Sequence, residues 1–123
     1  MEDIYVSYIR EQLHAVLGID SPSGCTEDVQ QYLCDTLRAM GFAPRRLVKG
    51  GVCVTLGGEG EPLTLTAHAD TLGAVVQYIK PNGRLAISNM TLNVHNAEAE
   101  NVRVITRFDG AYEGTLQLCN ASV

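Results

Sequence analysis

The spacing of the apolar residues changes at about Gly73, and this change limits the folds open to the chain. Before it, residues 4–17 and 27–40 carry apolar side chains at three- and four-residue steps, which is typical of amphipathic helices. After it, we find only short apolar segments, separated by turn sequences such as Asn82-Gly83 and Asp109-Gly110. We therefore predict an α/β chain of two units, 1–72 and 73–123, of which the second is β-rich.

Turn and cap residues define the elements of the first unit. Gly18 ends the first predicted helix. Thr26 is the predicted N-cap of the second, Glu27 and Asp28 suit its first turn, and Gly41 suits the position after its last turn. The other segments before Gly73 predict strands at 42–48, 52–56 and 63–69, with a tight turn at 49–51.

The second unit is predicted to consist of short strands, at 74–79, 85–87, around 94, at 102–106 and at 112–118. So few strands would leave an unpaired apolar edge, and the sequence stops at Val123 without a turn or helix. We expect the chain to be a fragment of a longer protein. A complete small barrel is the competing interpretation.

A histidine and an aspartate stand two residues apart at the end of the predicted strand 63–69. Residues i and i+2 of a strand project to the same face, so His68 and Asp70 can lie side by side where the strand opens into a loop. A metal-bound imidazole commonly gives its other ring N–H to a carboxylate. The pair therefore suits a metal ligand with its orienting carboxylate, although an ordinary exposed pair has the same spacing.

Composition and charge exclude several classes of partner. The 123 residues are 46% hydrophobic and carry a net charge of -5 without a run of like charge. The chain can therefore bury a core, and it lacks the clustered basic face that nucleic acid requires. No apolar stretch is long enough to span a membrane, and the acidic start of the chain is unlike a signal peptide.

The cysteines favour a reducing compartment. They form no C-x-x-C pair, and we expect reduced, mostly buried thiols in a cytoplasmic protein rather than a disulfide framework. The four positions are Cys25, Cys34, Cys53 and Cys119.

Three segments carry a resemblance to a known family. They are the Ser23-Gly24 loop with Glu27 and Asp28, the glycine turn Gly50-Gly51, and the run Ala67-His68-Ala69-Asp70-Thr71-Leu72-Gly73. In order and spacing they resemble the N-terminal part of the glutamyl/deblocking aminopeptidases. These dinuclear-metal peptidases assemble into tetrahedral particles and are sometimes labelled endoglucanases. Thr71 replaces the family's usual acidic residue, and Gly51 replaces an asparagine often found there, which leaves the details of substrate preference open.

The resemblance implies an α/β catalytic domain interrupted by a β-rich, barrel-like dimerisation domain. Residues 1–72 would be the N-terminal segment of the first domain, and residues 73–123 would be part of the second. We accordingly expect a homo-oligomer formed through the β-rich domain.

The resemblance also implies roles for the His-x-Asp pair. His68 would be one ligand of two divalent metal ions, zinc or cobalt, and Asp70 would orient it. The family's other ligands and its catalytic glutamate pair follow the dimerisation domain, so they cannot be placed on this chain. His95, Glu98 and Glu100 are the nearest substitutes, and their polar stretch in the β-rich unit argues against them.

The expected function is that of a metal-dependent aminopeptidase, which removes N-terminal residues from peptide substrates. The 123-residue chain alone would be inactive, since one ligand cannot hold a metal pair. Two alternatives stay open. One is a non-catalytic β-rich interaction or assembly module. The other is a related dinuclear-metal carboxypeptidase or deacylase, in which the His-x-Asp element would look the same.

Overall fold

The computed structural model describes residues 2–89 and 92–118. The chain divides into two compact units, the first running to Leu72 and the second starting at Gly73. The first unit holds α1 (Glu2–Leu17), α2 (Glu27–Ala39), β1 (Arg45–Arg46) and β2 (Val52–Cys53). The second holds β3 (Ala74–Ile79), β4 (Leu85–Asn89), the 3-10 turn Val94–Asn96, β5 (Asn101–Ile105) and β6 (Ala111–Thr115). This mixture of helices and small antiparallel sheets agrees with the predicted α/β class.

The two helices form where the apolar spacing predicts them. A hydrogen bond links them, since the Tyr32 hydroxyl on α2 donates to Gln12 Oε1 on α1 at 2.8 Å. Most of the large apolar side chains of α1 are exposed, Ile9 and Leu13 among them. His14 is also exposed.

Helix α2 ends where the sequence predicts. Gly41 adopts a φ of 89°, in the left-handed region that glycine enters without a steric penalty. This lets the Gly41 N–H donate to the Arg38 carbonyl at 2.9 Å and the Phe42 N–H donate to the Leu37 carbonyl at 3.0 Å. Together these bonds satisfy carbonyl groups of the last turn and form a Schellman motif.

The start of α2 differs from the prediction in one respect. Thr26 occupies the N-cap position, and Glu27 and Asp28 lie in the first turn, but the Thr26 side chain makes no capping hydrogen bond. Its hydroxyl instead accepts a hydrogen bond from Gln30 Nε2 at 2.7 Å. The Thr26 hydroxyl therefore ties the loop to the first turn of α2 through a side chain rather than through a helix amide.

Strands β1 and β2 form an antiparallel pair around a glycine turn. They are shorter than the predicted strands 42–48 and 52–56, and the predicted turn is present. The Leu47 N–H donates to the Gly51 carbonyl at 3.0 Å, and the Gly50 N–H donates to the Leu47 carbonyl at 3.1 Å. The turn packs against α2, because a Cβ added at Gly50 would lie 3.0 Å from Gln30 Nε2.

The predicted strand at 63–69 is wrong as a hydrogen-bonded element. The structure assigns no strand there, and Leu63 and Leu65 are 85% and 84% exposed. The alternating pattern is present, but the described chain offers this segment no neighbouring strand. Pairing begins only beyond it, at an isolated parallel bridge between Pro22 and Thr71.

The second unit is built from two antiparallel hairpins, β3–β4 and β5–β6. The predicted Asn-Gly and Asp-Gly turns connect the strands of these hairpins. The Lys80 N–H donates to the Arg84 carbonyl across the first turn, and the Thr106 N–H donates to the Gly110 carbonyl across the second. The short strand predicted around Val94 is wrong, because Val94–Asn96 forms a 3-10 turn. These three residues have no neighbouring strand to pair with in the described chain, and their main chain forms hydrogen bonds between residues i and i+3 instead.

Burial is concentrated around α2. The fully buried side chains of the described residues are Val29, Cys34 and Ser21. The expectation of mostly buried thiols is wrong in part, because Cys53 is half-buried and Cys25 is exposed. Cys119 lies outside the described residues. None of the helices in the described ranges combines the length and apolar composition that crossing a bilayer requires.

The turn at Gly50 generates a stability prediction. Replacing Gly50 by alanine should lower the free energy of unfolding of the first unit by about 1–2 kcal/mol, because a Cβ is disfavoured at a φ of 82° and also presses on Gln30 Nε2. Urea denaturation followed by the circular dichroism of the helices measures this loss.

The matched control is Gly57→Ala. Gly57 has a similar φ of 91°, but nothing lies within 4 Å of an added Cβ. We expect a smaller loss there, since the open loop can relax. Equal losses in the two variants would show that the contact between the turn and α2 has no energetic weight.

Candidate metal centre

Two segments of the first unit are joined by hydrogen bonds just before Gly73. The Thr71 N–H donates to the Ser21 carbonyl at 2.8 Å, and the Ser21 hydroxyl donates to the Ala69 carbonyl at 3.1 Å. Ser21 is fully buried and its partners Ala69 and Thr71 are half-buried, so these bonds are partly shielded from water. The loop before α2 thus holds the main chain on both sides of Asp70.

The Asp70 carboxylate is bound by the same loop. Ser23 Oγ donates to Asp70 Oδ2 at 2.5 Å, a short distance that is typical of hydroxyl–carboxylate hydrogen bonds. This bond is the main cause that holds the pKa of Asp70 below its usual value, with smaller contributions from the Asp70 main chain and from His68. Asp70 is therefore a carboxylate near neutral pH, with one oxygen committed to Ser23.

The His68 ring turns one nitrogen toward Asp70. Nδ1 lies 3.0 Å from the Asp70 main-chain oxygen and 3.3 Å from Asp70 Oδ1. A carbonyl oxygen can only accept, so Nδ1 is the nitrogen that carries the hydrogen in the neutral ring. Nε2 then presents its lone pair, and the side chain is 86% exposed. The predicted pair is thus side by side, although no ladder holds the segment before it.

This arrangement has the chemistry of a single metal ligand. A neutral imidazole with Nδ1–H bound to a carboxylate or a carbonyl, and with an accessible Nε2, is the common form of histidine at metal sites. His68 fits that form. Among residues 2–89 and 92–118, however, no group of three or more histidine, cysteine, aspartate or glutamate side chains could hold a metal ion. The described residues therefore offer one imidazole of this form beside a carboxylate, without a cluster of further metal-ligating side chains.

An open cavity of about 250 Å³ lies beside the carboxylate. Asp70 and Ala69 form one side of it, and the loop before α2, the first turn of α2 and the glycine turn form the rest. The remaining lining residues are Ser23, Gly24, Thr26, Val29, Gln30 and Gly51. The three segments that carry the family resemblance thus meet around one cavity.

The residues considered as substitute ligands in the second unit do not form a site. Glu98 Oε2 accepts a hydrogen bond from the Leu118 N–H at 2.6 Å, so this carboxylate holds the main chain. His95 and Glu100 are exposed, and the described residues give them no group of metal-ligating side chains.

Sequence reasoning missed the role of the two loop serines. Thr26 marks the end of this loop as a helix start, and Ser23-Gly24 carries part of the family resemblance. Neither feature predicts that Ser21 and Ser23 hold residues 69–71. Serines flanking a proline are typical of a loop or turn. Nothing in the spacing indicates that their partners lie more than forty residues further along the chain.

Comparison with known proteins identifies relatives. Residues 50–122 match the family described as M42 glutamyl aminopeptidase. The chain is also 34% identical over 116 residues to "Putative aminopeptidase YhfE" of Bacillus subtilis (strain 168), a match that covers 92% of this chain and 34% of that relative. The chain thus spans about a third of the length of the curated relative it matches. On both grounds, the chain belongs to the M42 glutamyl aminopeptidase family.

Proposed function

We propose that this chain is the N-terminal part of a metal-dependent aminopeptidase, in which His68 is a metal ligand and Asp70 orients it. The observation that carries the proposal is the orientation of the His68 ring, with Nδ1 toward two oxygens of Asp70 and Nε2 open to solvent. Family membership and the name of the curated relative support the peptidase class.

Each residue of the site would position the next one, from Ser23 through Asp70 to His68. Ser23 holds Asp70 Oδ2, and Asp70 accepts from His68 Nδ1 and raises the basicity of the ring. His68 Nε2 then offers its lone pair to a divalent cation. A pair of such ions, when bound, would lower the pKa of a water molecule and polarise the peptide carbonyl.

The other parts of the active site would come from polypeptide that this chain does not contain. One imidazole cannot hold two metal ions, since a catalytic zinc site takes three protein ligands. In this proposal the remaining ligands and the glutamate that acts as general base lie in the part of the enzyme that corresponds to the unmatched length of the relative.

The second unit, 73–123, is proposed to be part of the β-rich dimerisation domain. Among its described residues the buried apolar side chains are Ala86, Ala97 and Leu116. Larger ones such as Tyr78, Ile79 and Phe108 are exposed, and two-stranded hairpins are only marginally stable without further packing. These features suit an oligomeric enzyme, which we propose acts on peptides in the cytoplasm.

The alternative functions differ in what supports them. A non-catalytic module would not need an imidazole with an oriented Nδ1 and an open Nε2, so the His68 geometry favours the enzyme. A carboxypeptidase or deacylase would share that geometry. The aminopeptidase names of the family and of the relative favour removal of N-terminal residues.

Replacing His68 by alanine in the full-length enzyme should abolish most of its aminopeptidase activity and metal binding, because one bond to the metal pair is lost. Initial rates on short peptides and metal content per chain measure this. The control is His14→Ala, which removes an exposed histidine of α1 and should change neither quantity. Full activity in the His68→Ala variant would contradict the metal-ligand role.

Replacing Asp70 by asparagine should lower metal affinity or activity by about 10–100-fold, which is the usual cost of losing the partner of a metal-bound histidine. The asparagine keeps the size of the side chain but not its charge. Titration of the metal-free enzyme with zinc measures the affinity. An unchanged affinity would show that the carboxylate does not support His68.

The 123-residue chain alone should release no N-terminal residues from short peptides, even with added zinc or cobalt, because it lacks the other ligands and the general base. The measurement is amino acid release, compared with that of the full-length enzyme under the same conditions. Metal-dependent turnover that is absent from the chain's His68→Ala variant would show that this chain holds a complete site.

A further inference from the structure

We propose that Ser23 is a positioning residue, whose hydroxyl fixes the Asp70 carboxylate so that His68 keeps its hydrogen on Nδ1 and its Nε2 free. The relevance of this role to metal binding rests on the proposed function, while the role itself is a property of the loop. The Ser23 hydroxyl donates to Asp70 and not to the imidazole, so it acts on His68 through Asp70.

Because the Asp70 and His68 side chains are exposed to solvent, their contact needs a further residue to fix the carboxylate. The Asp70 side chain is 37% exposed and the His68 side chain is 86% exposed. A hydrogen bond between solvent-exposed side chains restricts them little, because water competes for both groups. Contact with His68 alone would therefore leave the carboxylate free to rotate, and the ring would lose one of its two acceptors.

The Ser23 hydroxyl removes that freedom. It binds Asp70 Oδ2, so that the other oxygen, Oδ1, is the one directed at His68 Nδ1. A hydroxyl–carboxylate bond is stronger than a bond between neutral groups. The two oxygens of one carboxylate thus have separate partners, and the orientation of the first bond sets the second.

The loop that carries Ser23 is itself fixed relative to Asp70. Ser21 bonds the residues on either side of Asp70, through the Ala69 carbonyl and the Thr71 N–H. Pro22 restricts the main chain between the two serines, and its carbonyl accepts from the Cys25 N–H at 2.8 Å. These bonds fix the main chain around Ser23 independently of its contact with the Asp70 carboxylate.

The test measures the tautomer of neutral His68 in the metal-free 123-residue chain by nitrogen-15 NMR, with the signal assigned by its absence in His68→Ala. We expect the Nδ1–H form to dominate. In Ser23→Ala the ratio of Nδ1–H to Nε2–H should fall by about tenfold, the scale of a lost hydrogen bond to a charged group. Ser23→Thr, which keeps the hydroxyl, should restore the ratio.

Two controls separate positioning from loss of the loop structure. Ser7→Ala, at an exposed serine of α1, should leave the ratio unchanged. The Thr71 amide shift reports the bond to Ser21, and it should stay native in Ser23→Ala. If that shift is lost, the comparison is made in an Asp70→Ala background. There a positioning role predicts no further change in the ratio on removing the hydroxyl, and a further change overturns the proposal.

In the full-length enzyme, Ser23→Ala should weaken cobalt affinity by about tenfold, and Ser23→Thr should restore it. An unchanged tautomer ratio in Ser23→Ala with a native Thr71 amide shift overturns the proposal. A failure of the proposed function is distinguishable, because activity would then survive His68→Ala while the tautomer result stands unaffected.

Discussion

The attachment of the loop before α2 to residues 69–71 is the interaction on which the candidate site depends. The chain from Leu63 to Ala69 has no strand partner among the described residues, so a ladder does not place His68 or Asp70. The buried Ser21 makes two hydrogen bonds to residues 69–71, and Ser23 makes a third. The geometry of the His-x-Asp pair therefore originates in a loop rather than in a sheet.

This origin explains why an exposed imidazole can still be ordered. A hydrogen bond between two exposed side chains contributes little by itself, because water competes for both groups. Here the carboxylate is bound at both oxygens, and Nδ1 faces a main-chain oxygen as well as the carboxylate. The ring is fixed from one side only, which leaves Nε2 accessible. That combination of one bound and one open nitrogen is what a metal ligand requires.

Sequence alone predicted the features that depend on neighbours along the chain. Apolar spacing predicts the helices, and Gly41 predicts the left-handed residue after the last turn of α2. Asn82-Gly83 and Asp109-Gly110 predict the hairpin turns. It failed where the outcome depends on a distant partner. Alternation at 63–69 predicts a strand, but a strand also needs a neighbour to pair with, and periodicity does not show one.

The same limit applies to the site. The spacing of His68 and Asp70 predicts that they can lie side by side, and they do. The bond from Ser23 to Asp70 joins residues 47 apart, and no local pattern marks either of them as the other's partner. Thr26 is a local exception: its N-cap position is predictable, but its hydroxyl accepts from the Gln30 side chain four residues further on instead of from a helix amide.

We propose that His68 binds a cation through Nε2 while Asp70 holds Nδ1. The most direct measurement of this role is anomalous diffraction from crystals of the full-length enzyme grown with zinc. We expect an anomalous peak at about 2.0–2.1 Å from His68 Nε2, the usual zinc–imidazole distance, with Asp70 still beside Nδ1. Zinc bound at a site that excludes His68, or bound through Nδ1 with Asp70 displaced, would contradict this role.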